Sequence, residues 1–132
     1  MSETGLAAAP GGQALIDWFG RVHHFHDAEL LEIKLASNGP STLRIRTWRM
    51  TDKVDARGYF VLDKHIVVTI FIEGITHIEL DHFNLPAIIF DLQITRADDG
   101  YWLAWTSSYG VEGTLRAAQL RIELSPDAPA KV

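Results

Sequence analysis

Residues 64–73 read Lys64-His65-Ile66-Val67-Val68-Thr69-Ile70-Phe71-Ile72-Glu73. Apolar side chains occupy both parities and the β-branched bias is strong, which is the composition of a central strand covered on both faces. A chain built around such a strand needs partners on either side, and the flanking sequence supplies them.

Downstream, Gly74 interrupts the run and residues 75–80 resume it, with Ile78 and Leu80 opposed to His77, Glu79 and Asp81. Residues 83–86 turn the chain. In residues 88–95, Ile88, Phe90, Leu92 and Ile94 alternate with Asp91, Gln93 and Thr95, the two-residue period of a half-buried strand. Asp99-Gly100 is a hairpin-turn pair, leading to a strand with Leu103 and Trp105 on one side and Trp102 and Ala104 on the other. A last hairpin through residues 109–113 precedes residues 114–124, where Ala118, Leu120, Ile122 and Leu124 form the apolar row.

Upstream, residues 51–62 carry charges, Gly58 and two aromatics, Tyr59 and Phe60, and read as a connection. Residues 41–50 alternate and pair as a hairpin with residues 27–35 across the turn Ser37-Asn38-Gly39-Pro40. In residues 27–35 the odd positions Leu31, Ile33 and Leu35 are the expected core face, which carries Asp27 and Glu29 to the core's edge. Leu15, Trp18 and Phe19 fall at helical spacing before Gly20, predicting one short helix. Residues 1–12 read as a flexible leader, residues 13–124 as a single β-rich domain and residues 125–132 as a flexible tail. The expected fold is mainly β, α+β at the margin. It is an antiparallel β-sandwich or strongly curved sheet of about seven strands with one short N-terminal helix.

The chain has 132 residues, a net charge of −5 and no cysteine. The length suits one core. Acidity argues against a nucleic-acid backbone as partner, and the missing thiols rule out disulfides and thiolate chemistry. There is no basic-then-apolar start of signal-peptide type and no apolar run near the ~20 residues of a membrane span. The expectation is a cytoplasmic protein without a membrane partner.

The chemistry-bearing residues concentrate just before the first strand, in His23, His24, Phe25, His26, Asp27 and Glu29. On a strand His24 and His26 point the same way, and His77 and Glu79 repeat that spacing. Were the two stretches neighbours, His24, His26, His77 and Glu79 could hold zinc, iron or manganese. The plainer reading makes each set the solvated face of a half-exposed strand. Asp27 and Glu29 could likewise act as an acid–base pair, or be structural, with Asp27 capping a turn and Glu29 pairing with Arg44 or Arg46. No phosphate loop, dinucleotide fingerprint, nucleophile elbow or zinc-protease helix is present. Trp48, Tyr59, Tyr101, Trp102, Trp105 and Tyr109 are interface-rich residue types. Trp102 and Trp105 have opposite parity, so one of them faces outward.

Trp18-Phe19-Gly20 followed by Phe25-His26-Asp27-Ala28-Glu29, with Phe71-Ile72-Glu73-Gly74-Ile75, Ile78-Glu79-Leu80 and Tyr109-Gly110 later, resembles the bacterial immunity protein 50 family. Val22-His23-His24 stands where that family carries a tryptophan and often a proline or serine. The resemblance implies a small cytoplasmic toxin-neutralising binder without catalysis, with His26 and Asp27 as its marked positions. The reading is thus a non-enzymatic protein-binding domain without cofactor, contacting its partner through Phe25, His26, Asp27, Glu29, Trp48 and Trp102. A metal-binding protein or metalloenzyme is the alternative, and a homodimer pairing sheet edges is a third reading.

Overall fold

The computed structural model describes residues 5–126. Six antiparallel strands, β1 (Glu29–Lys34), β2 (Ser41–Val54), β3 (Phe60–Asp81), β4 (Ala87–Ala97), β5 (Gly100–Tyr109) and β6 (Glu112–Pro126), follow two short helices, α1 (Gly5–Ala8) and α2 (Gly12–Phe19). The strands close into a barrel in the order β1-β2-β3-β6-β5-β4, with β4 returning to β1. The expected curved antiparallel sheet is therefore present, curved to the point of closure, with six strands in place of about seven.

The lower count has a local cause. Residues 64–73 and 75–80 are one strand, β3, bent at Gly74 rather than ended there. Gly74 takes φ 71° opposite Ala118, and a Cβ added to it would lie 2.8 Å from the Ala118 Cβ. Just beyond it the register slips between Ile75 and His77, where Thr76 is accommodated as the extra residue. On β6, opposite Gly74, Ala118 and Gln119 are both exposed, so Leu115 and Ala117 lie inside with Leu120 and Ile122 while Ala118, expected in the apolar row, does not. On β3, Ile66, Val68, Ile70 and Ile72 fill the interior. The outer face is only partly covered, Phe71 lying beneath the Arg121 guanidinium at 4.0 Å.

Bulges also reset the other two strands. Leu30 pairs with Ile45 but Glu32 pairs with Arg44, so Leu31 is extra. Leu30, ahead of the bulge, consequently points into the core; Ile33 beyond it packs against the core as expected, and Leu35 is exposed. The β4 register slips at Ile89 and again before Asp91, burying Ile89, Leu92 and Ile94 and turning Phe90 outward.

Residues 5–12, expected as part of a flexible leader, pack. Leu6 and Ala9 are buried, Ile122 donates its backbone N–H to Pro10 O, and Tyr101 Oη donates to Ala8 O. Leu15 and Phe19 of α2 join the same core. Ser125 and Pro126, expected in the tail, complete β6 opposite Val67 and Ile66; residues 1–4 and 127–132 lie outside the described residues. Residues 51–62 are no mere connection. They extend β2 and β3 into a long hairpin whose turn is fixed by Asp55, its carboxylate accepting the N–H groups of Arg57 and Tyr59. Among the described residues no helix is long and apolar enough to cross a membrane.

Candidate functional site

The β1–β4 seam that closes the barrel is only two residue pairs long, Glu29 with Ile88 and Leu30 with Ala87. The segment before β1 lengthens it. Asp27 N–H donates to Ile89 O, Ile89 N–H to Ala28 O, and Leu92 N–H to His24 O. To follow the bulged β4 the segment takes left-handed backbone at Phe25 (φ 64°) and Asp27 (φ 66°). Each such residue costs on the order of 1–2 kcal/mol and persists only where its surroundings hold it. Here the holder is the Phe25 side chain, 1% exposed in the core.

The same backbone corrects the strand reading of residues 24–29. His24 and His26 are not on a strand. His26 Nδ1 donates to Phe90 O at 3.0 Å, with the two rings edge-on at 5.4 Å, and its Nε2 is 3.6 Å from the Asp27 carboxylate. His24 Nδ1 is 3.5 Å from Asp91. These pairs are solvent-exposed and worth little in stability. Asp27 caps no turn by its side chain among these bonds. Glu29 faces outward and accepts from Arg46 at 3.0 Å, the structural arrangement set against an acid–base pair.

His77 and Glu79 sit elsewhere, on the outer face of β3, 3.0 Å apart, with the His77 ring edge-on to Trp102. They are not brought to His24 and His26. Among the described residues no three His, Asp or Glu side chains are placed to hold a metal ion. Trp102 is the outward member of the Trp102/Trp105 pair, half-buried beneath Arg116. Trp105 is buried, its indole N–H donated to Val111 O. Trp48 lies beside His65, and with His23, His24 and His26 it lines a cleft of about 480 Å³.

What assembles at the seam is an apolar patch with a polar rim. Arg46, Glu29, Ile88 and Tyr109 are successive cross-strand partners on the outer face of β2, β1, β4 and β5. Phe90 stands two residues beyond Ile88. Phe83 and Leu85, in the loop from β3 to β4, adjoin the β5–β6 turn, where Val111 N–H donates to Asn84 O. Phe83, Phe90 and Tyr109 are 60%, 57% and 64% exposed, while His26, Asp27 and Glu29 form the charged border. Sequence reasoning had flagged Tyr109 and the border. It missed Phe90, which by strict alternation belongs in the core.

His23, grouped by the sequence with that titratable corner, turns inward instead. That ring stacks on Phe19 at 4.0 Å, meets Phe25 edge-on at 4.7 Å and hydrogen-bonds the buried Thr47 hydroxyl at 2.6 Å. Burial, followed by the nearby His24 and Arg21 charges, pushes its pKa down from 6.5 to about 4. No spacing rule links residue 23 to residues 19 and 47.

No protein-family model, no curated protein and no solved structure matches this chain.

Proposed function

We propose that this is a non-enzymatic protein-binding domain whose contact surface is the seam patch of Phe83, Leu85, Phe90 and Tyr109, bordered by His26, Asp27 and Glu29. The observation that carries the reading is the outward placement of Phe90 and Tyr109 by a bulged strand and its neighbour. Aromatic anchors within a charged border are the anatomy of a protein-recognition surface. A net charge of −5 suits a basic partner. Neutralisation of a bacterial toxin inside the cell is the specific form of binding that the Phe25-His26-Asp27 resemblance implies. In that form Phe25 positions the corner from within, and His26 and Asp27 meet the partner.

The test is affinity capture from cells of the source organism with the wild-type protein, a Phe90→Ala/Tyr109→Ala variant, and a Leu35→Ala control at an exposed position just past β1. Loss of a captured protein with the double variant alone supports the reading. An identical captured set from all three sinks it. For the toxin form, co-expression of the captured protein with and without this chain should separate growth from arrest.

A further inference from the structure

Beyond the barrel, β2 and β3 continue as a two-stranded arm. Among the described residues β1 pairs with β2 only as far as Arg46, and β6 pairs with β3 only from Ile66 onward. Among the described residues, the strand positions from Arg49 to Val54 and from Phe60 to Asp63 pair only with one another. An isolated ribbon is marginal in water, yet this one is internally fastened. Arg49 donates twice to the Asp63 carboxylate at 2.9 and 2.7 Å, and Thr51 Oγ1 donates to Val61 O.

Those fastenings lie on one face. The opposite face is apolar: Met50 pairs with Leu62 and Val54 with Phe60, and these four side chains are 48%, 38%, 58% and 55% exposed. At roughly 150 Å² per side chain, the low end of the aromatic range, that is on the order of 300 Å² of exposed apolar surface. A standard interface buries about 800 Å² per partner, a little over half of it non-polar, so this face supplies the larger part of the apolar share of one.

We propose that the arm is a self-association element, its apolar face packed against the same face of a second copy across a two-fold axis. Charge selects the second copy. Residues 49–64 hold four cations (Arg49, Lys53, Arg57, Lys64) against three carboxylates (Asp52, Asp55, Asp63), a net of +1 in a chain of −5. The nearly balanced arm is thus where two copies, acidic over the rest of their surface, meet with the least repulsion. The exposed neighbouring opposites Asp52 and Lys53 are their own complement when one copy is rotated onto the other, as an isologous contact requires. The arm shares no residue with the seam patch, so this inference stands apart from the binding function above.

Sedimentation velocity over a concentration series tests it, with the wild-type chain, Phe60→Glu, Val54→Glu and Phe90→Glu, each checked for an unchanged melting curve. Both arm positions are exposed, so folding survives the substitutions. The wild type and Phe90→Glu should show a concentration-dependent dimer, and each arm variant should weaken association at least about thirtyfold. A wild-type chain that stays monomeric up to about 100 µM, whatever other protein the arm captures, overturns the proposal. So does a dimer that both arm variants leave intact.

Discussion

Acid should destabilise this protein through one histidine. His23 is held neutral, with its pKa pushed from 6.5 to about 4 by burial, between Phe19 and Phe25 and against the Thr47 hydroxyl. In the unfolded chain the imidazole takes up its proton near pH 6.5; in the fold it does not until near pH 4. The stability it contributes is therefore fully present above pH 6.5 and is lost as pH falls from there to about 4. At about 1.4 kcal/mol per pH unit, that interval is worth about 3 kcal/mol, a large part of the 5–15 kcal/mol typical of a domain. Urea unfolding of the wild type and of His23→Phe between pH 7.5 and 4 measures it. Phenylalanine keeps the stack and removes the proton. It leaves Thr47 without its partner, a pH-independent loss of about 1–2 kcal/mol. The wild-type stability should fall steeply below pH 6.5, while the variant starts lower and stays flatter. Parallel curves would refute the reasoning. The Asp63 and Asp99 carboxyls, held below the usual carboxylate range by Arg49 and Arg116, lose their contribution only as pH falls below 3.8, outside that interval.

Phe25→Ala should cost about 3–5 kcal/mol by chemical denaturation, since the ring is fully buried and also secures two left-handed residues at the barrel seam. A cost under 1 kcal/mol would mean that the seam closes without it. Leu6→Ala should cost about 2–3 kcal/mol, because Leu6 belongs to the core rather than to a loose leader. An unchanged melting temperature would show that α1 contributes nothing to the fold.

The local period of the sequence carried much of the architecture. Alternation in residues 41–50, 88–95, 101–107 and 114–124, with Ser37-Asn38-Gly39-Pro40 and Asp99-Gly100 between strands, was enough to specify hairpins and an antiparallel sheet. The β-branched run at residues 64–73 was enough to place a strand with neighbours on both sides, as β3 has in β2 and β6. Cysteine content, net charge and the Arg46–Glu29 pairing were legible for the same reason: they depend on composition or on adjacent hairpin strands.

Facing was not legible past a bulge. One extra residue at Leu31, Thr76 or Phe90 breaks the alternation, so that Leu30 and Ile89 lie inside against the expected parity, and no residue type in the chain announces it. Contacts between distant segments were equally beyond reach. That His23 reaches Thr47, that His26 meets Phe90 and not His77, and that Leu6 finds the core are consequences of barrel closure. The sequence by itself determined which segments become strands, because that follows from a period of two residues read over a short window. Only the tertiary structure decided which side chains those strands present to water, because the bulges and the seam that set the facing are fixed by pairings between residues far apart in the chain.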